Sequence, residues 1–150
     1  MKVARHIRAP WVVTVASAFF ACATENVMHS VRGPGYPGYA VEYVDAVPGP
    51  GTLLTEGDSV DFTITVRYVL QTRDTGMLEL LYRNERDVDV LPPGGAIPIK
   101  RERWQRATLR QTVRIPRGVR ELYVTVPVVL DGATTSSGML RIRYPVAFRK

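Results

Sequence analysis

Period-two alternation dominates the chain beyond Tyr39. Val60, Phe62, Ile64, Val66, Tyr68 and Leu70 alternate with Asp61, Thr63, Thr65, Arg67 and Val69, the pattern of a long strand with one buried face. Leu122, Val124, Val126, Val128 and Leu130 make a second such face, and Pro127 on its opposite side predicts an edge position or a bulge. Leu140, Ile142, Tyr144 and Val146 make a third, with Arg141 and Arg143 turned to water. Val41, Tyr43 and Val47 predict an opening strand. Leu78, Leu80 and Tyr82 predict another after a Thr75-Gly76 turn, Leu109, Val113 and Ile115 one more, and Val88 and Val90 a short extra one. No window carries a helical repeat of useful length. Turn signals at Pro48-Gly49-Pro50-Gly51, Asp74-Thr75-Gly76, Pro92-Pro93-Gly94-Gly95, Pro116-Arg117-Gly118 and Asp131-Gly132 separate the segments. The predicted class is all-β: an antiparallel, immunoglobulin-like β-sandwich of six or seven short strands over residues 39–150.

The first 38 residues follow a different pattern. Lys2, Arg5 and Arg8 precede an uncharged stretch from Ala9 to Thr24 with its apolar heart at Trp11–Phe20, too short for a confident membrane span. Small residues follow at Ala21-Cys22-Ala23. This is the layout of a secretory signal peptide, assigned to residues 1–22. Two processing routes stay open. Ala21 and Ala23 fit cleavage after Ala23, which would discard Cys22. Phe19-Phe20-Ala21-Cys22 resembles a bacterial lipobox, with cleavage before Cys22 and lipidation of the only cysteine in the chain. Residues 23–38, with Gly33-Pro34-Gly35-Tyr36-Pro37-Gly38, suit a flexible tether of roughly 20 Å average span. The expected location is the bacterial periplasm, a membrane-anchored lipoprotein, or the cell surface.

Gly57-Asp58-Ser59-Val60-Asp61-Phe62-Thr63-Ile64-Thr65-Val66, preceded by the Pro-Gly turn and Leu54, resembles the opening of a bacterial immunoglobulin-like or fibronectin type III-like domain. Glu121 to Leu130 and Gly138 to Val146 resemble the last two strands of such a domain. The likeness runs from Tyr39 to Phe148. It implies a sandwich fold in an exported envelope protein, and a fold does not by itself imply a function.

Composition narrows the chemistry. The 150 residues are 45% hydrophobic and 23% charged, which fits one globular domain and excludes a disordered or fibrous chain. The formal charge of +6 falls by half once Lys2, Arg5 and Arg8 are set apart, so it is no nucleic-acid signature and no nucleic-acid partner is expected. Of the 2 His, only His29 lies beyond the signal segment, and it sits in the tether, which disfavours a His-assisted nucleophile. No spacing of Cys, His or acids suits zinc, and no glycine-rich phosphate loop precedes a helix, so no catalytic residue, metal or cofactor is expected. Glu56, Asp58 and Asp61, and separately Glu85, Asp87 and Asp89, are read as solvent-face acids before calcium ligands.

The densest charge lies between Lys100 and Arg120, where eight cations face Glu102 alone. Arg106, Arg110 and Arg114, interleaved with Thr108 and Thr112, fall on the face opposite Leu109, Val113 and Ile115. Two roles are open. The row pairs with an acidic strand made by Glu85, Asp87 and Asp89, or it binds anionic glycans or lipid head groups bidentately, with Arg103 beside it and Trp104 adding a stacking face. The functional expectation is an exported, non-enzymatic binding or structural module of the cell envelope, lipid-tethered through Cys22, whose partner is an envelope protein or an anionic glycan or lipid. A small envelope enzyme is the least favoured class.

Intact-mass analysis of the native protein tests the processing route. The expected product begins at Cys22 and carries acyl mass; a lipid-free chain beginning at Thr24 overturns lipidation and leaves export standing.

Overall fold

The computed structural model describes residues 25–29, 38–131 and 138–149, with the backbone alone at His29. The signal segment with Cys22, Tyr36 and the loop after Asp131 lie outside the described residues. Seven strands follow in order: β1 (Val27–His29), β2 (Tyr39–Val47), β3 (Leu54–Thr55), β4 (Ser59–Arg83), β5 (Asp89–Arg114), β6 (Glu121–Leu130) and β7 (Met139–Ala147). All pair antiparallel except β3, whose two residues lie parallel to β7. No helix among the described residues is long and apolar enough to cross a membrane.

Two strands are far longer than predicted, and they make the sandwich. The first part of β4 pairs with β2 and with the second part of β5 (Ser59↔Arg114 through Tyr68↔Gln105), giving a three-stranded sheet. Its second part pairs with the first part of β5 and with β6, which continues through β7 to β1. The strand order is that of an immunoglobulin-like sandwich, with one long hairpin shared by both layers.

The sequence predicted a turn at Thr75-Gly76 and another at Pro92–Gly95; the structure instead carries each strand through. Between the pairs Leu70↔Glu102 and Thr75↔Lys100 the register slips, so that four residues of β4 oppose one of β5. Such a bulge bends the ladder and lets a strand change sheets. Gly76 marks the corner, because a Cβ there would stand 2.8 Å from the Val129 carbonyl. Gly95, at φ 59°, adopts the left-handed backbone that the shifts between Leu78 and Tyr82 require.

The core follows the alternation closely. Phe62, Ile64, Val66, Tyr68 and Leu70 are buried, with Val60 half-buried at the end of the row, and Leu122, Val124 and Val126 are buried on the opposing sheet. Phe62 ties the layers together, its ring 5.9 Å from Tyr82 and 5.3 Å from Tyr144 between centroids. Burial pushes both phenols well above the usual tyrosine range. Each hydroxyl nevertheless has a partner: Tyr82 donates to Gln111 and Tyr144 to the Pro48 carbonyl.

Three expectations are corrected. A bulge between Tyr43 and Asp45 reverses the parity of β2, so Ala46 is buried and Val47 is 58% exposed. Pro127 lies buried in β6, a strand paired on both sides. The ladder to β4 omits Val126 and Pro127 and resumes in the same register, so the missing N–H needs neither an edge nor a bulge. Finally, Val27–His29, assigned to the tether, pairs with Leu140–Ile142 of β7, where Val27 packs against the core and β1 covers what would be a bare edge.

Replacing Ile64 by Ala should cost about 2–5 kcal/mol through lost burial and a cavity. Thr63→Ala, on the opposite face, should cost less than about 1 kcal/mol. Urea denaturation of both variants checks the assignment of faces.

Candidate functional site

The second part of β5 builds its surface by simple parity. Leu109 and Val113 are buried against the core, so Trp104, Arg106, Thr108, Arg110, Thr112 and Arg114 point outward, and all six are exposed. The cross-strand partners on β4 are Arg67 opposite Arg106, Thr65 opposite Thr108, Thr63 opposite Arg110, Asp61 opposite Thr112 and Ser59 opposite Arg114. Successive arginines stand four residues apart, about 13 Å along the strand.

Polar contacts fix the floor of this face and leave much of the row open. Thr65 and Thr108 share a 3.0 Å hydroxyl hydrogen bond, and Thr112 donates to Asp61 at 2.5 Å. Arg114 Nε donates to the Gly57 carbonyl at 3.0 Å. Arg67 donates to Glu42 at 2.6 Å and lies 4.7 Å from the Trp104 ring centroid, in cation–π range. Among the described residues, Arg106, Arg110 and Arg114 form no ion pair.

The expected pairing with Glu85, Asp87 and Asp89 does not occur. Those acids sit at the other end of the hairpin, beyond the corner. Asn84 folds the tip, its Oδ1 accepting from the backbone N–H of Arg86 and of Val88, and Asp87 takes a left-handed φ of 61°. Only Asp89 belongs to the strand. Arg83 holds Asp89 at 2.9 Å and Asp87 at 3.4 Å, and Arg141 reaches Asp87 at 2.8 Å. The ladder that begins with Asp89 against Arg83 ends, after the shifts at the corner, with Arg114 against Ser59.

Glu56 and Asp58 are also engaged. Glu56 accepts from the backbone N–H of Gly118 and of Arg149, and Asp58 lies 3.7 Å from Arg149. Among the described residues no group of three or more His, Cys, Asp or Glu stands close enough to hold a metal ion. On the other sheet, Arg143 and Tyr123 both donate to Glu121 and hold its carboxyl below the usual range. Arg141 stacks 4.2 Å from the Tyr123 ring. Arg141 and Arg143, predicted to face water, are therefore half-buried and paired.

Of the residues the sequence singled out, the structure brings Arg106, Arg110, Arg114 and Trp104 onto one face. Arg103 has the inward parity but lies beyond the core and is exposed. With Trp104, Tyr39, Ala40, Val69, Gln71 and Gly38 it lines a groove of about 410 Å³. Arg67, which stands over Trp104 and opposite Arg106, belongs to the site and was passed over as one polar position of β4. Its signal was its place in the outward half of the alternation. The second residue missed is Arg117, which with Gly57, Leu91, Arg114, Ile115 and Pro116 lines a notch of about 370 Å³ at the far end of the row.

No known protein family matches the chain, and no curated protein matches it. Among solved structures it is similar to a CARDB domain from Pyrococcus furiosus in complex with di-metal ions, at 6% identity and a TM-score of 0.45, covering 79% of this chain and 100% of that one. It is similar to a putative beta-galactosidase from Bacteroides fragilis, at 14% identity and a TM-score of 0.42, covering 79% of this chain and 17% of the enzyme. It is also similar to the N-terminal domain of PorA, at 10% identity and a TM-score of 0.35, covering 72% of this chain and 96% of that domain. The strand order described above defines the fold.

Because Arg106 and Arg110 lean on no acid, changing both to Gln should alter stability by about 0.5 kcal/mol or less. Arg83→Gln, which leaves Asp89 without its ion pair and Asp87 with Arg141 alone, should cost roughly 1 kcal/mol. Thermal melts of the two variants side by side check the contrast.

Proposed function

We propose that this protein is an exported, non-enzymatic β-sandwich module that binds an anionic partner on the outer face of its three-stranded sheet. The observation that carries the reading is the guanidinium row itself. Arg106, Arg110 and Arg114 project from one straight strand without a carboxylate partner among the described residues. Exposed guanidinium groups with free N–H donors suit bidentate contact with carboxylate, sulfate or phosphate. The remaining polar groups on this face are mainly threonine hydroxyls already fixed in place, so the row is held on a stiff support rather than a loop. The cationic leader and the lipobox-like Phe19-Phe20-Ala21-Cys22 support an envelope location, with the sandwich tethered to a membrane through Cys22. The absence of a catalytic constellation from the sequence supports a binding role over an enzymatic one.

Retention on immobilised heparin tests the reading. Binding should fall steeply as salt rises, because screening and counterion release both act on exposed charges. The triple change of Arg106, Arg110 and Arg114 to Gln should abolish retention at low salt while the protein stays folded. Equal retention of the wild type and the triple variant overturns the assignment of the row.

A further inference from the structure

The row does not stand alone on its strand: each of its ends runs into a concavity lined by a further arginine. Toward one end, Arg103 and Trp104 line the groove with Tyr39 and Gln71. Toward the other, Arg114 and Arg117 line the notch beside Gly57, and Arg117 with Arg149 lines an adjoining hollow next to Glu56. Between Arg103 and Arg114 the strand advances about 37 Å at roughly 3.4 Å per residue. Over most of that distance, from Gln105 to Arg114, the ladder to β4 runs without a register shift, so the path is straight. A small anion would need one guanidinium. A line of them four residues apart, closed by a hollow at each end, is the footprint of something long.

We infer that the site takes an elongated acidic polysaccharide, its uronate or sulfate groups lying along Arg106, Arg110 and Arg114 and its flanking sugars entering the groove at Trp104 and the notch at Arg117. This deepens the reading of the row as an anion site and rests on it. Two features favour a glycan among polyanions. Threonines alternate with the arginines on β5, and Thr63 and Thr65 lie opposite on β4; a hydroxyl that already makes one hydrogen bond keeps acceptor capacity, so partners for sugar hydroxyls recur between the charged contacts. A single-stranded nucleic acid would be met by a succession of stacking rings. This face offers one indole, Trp104, already in contact with Arg67.

The spacing has a consequence for affinity. Charges on one chain that reach several arginines together bind cooperatively through effective concentration, and that gain vanishes when the ligand is too short to reach the next contact. Calorimetric titration with oligogalacturonates of increasing length, at low salt, measures it directly. Affinity should rise by about 10²-fold from the disaccharide to oligomers that span the strand, then level off. The pair of changes Arg103→Gln and Arg117→Gln, at the two ends, should lower affinity for the long oligomers by about tenfold and leave the disaccharide unaffected. Circular dichroism establishes that the variant is folded. An affinity independent of length overturns the elongated ligand while the anion site stands. Failure of every oligomer, and of heparin, to bind overturns the anion site itself. Polyphosphate or a single-stranded oligonucleotide binding as tightly as the longest oligomer, at equal length, overturns the polysaccharide class.

Discussion

The fold turns on one backbone constraint: the corner at which the β4–β5 hairpin leaves one sheet and enters the other. Four residues of β4 oppose one of β5 there, and Gly76 lets the chain pass so close to the Val129 carbonyl that a methyl group would collide. Everything on the first sheet is positioned by that register. The corner brings Phe62 over Tyr82 and Tyr144, closing the core between the layers. It also aims the second part of β5 outward as a long flank.

The same corner separates the charges. Read along the chain, the acids at 85–89 and the arginines at 106–114 look like two stripes of matching length awaiting each other. In the folded protein they occupy opposite ends of one hairpin, and Asp87 and Asp89 at the tip are paired with Arg83 and Arg141. What remains on the flank is positive charge on a strand whose second edge is unpaired among the described residues. Arginines along such an edge also discourage it from adding another chain's strand. That protection and the proposed ligand binding would use the same surface, and neither needs the other to fail.

The inward rows were legible because burial acts on every second residue regardless of what lies across the interface. Ile64, Leu122 and Ile142 sit where alternation placed them. What alternation cannot carry is a shift in its own phase: one extra residue near Val44 turned Val47 outward. Nor can local residue types distinguish a turn, where the chain reverses, from a bent strand, where it continues on another sheet. Asp74-Thr75-Gly76 and Pro92–Gly95 are breaker-rich in either case. The arginine row was visible in the sequence as a face, but its neighbour was not, since a strand's partner is chosen by the topology of the whole sandwich. Arg67 and Arg117, on the adjacent strand and past the strand's end, were therefore read as a polar position and a turn residue rather than as part of the site.

The long hairpin also orders assembly in time. At its tip Arg83 meets Asp89 only six positions away, and Asn84 organises the reversal with its own side chain. At its open end Ser59 must find Arg114, and the chain between them has to be gathered first. Loop closure grows more demanding with separation, so pairing is least expensive at the tip and progressively harder toward the ends. The corner lies between. A ladder that zips from the tip must slip by the right number of residues there before the distant strands can align. A slip of one residue would turn the arginines into the core and the leucines to water. Within the hairpin, the guanidinium face is thus the part whose pairing closes the longest loop, and its register is checked by the burial of Leu109 and Val113 on the other side of the same strand.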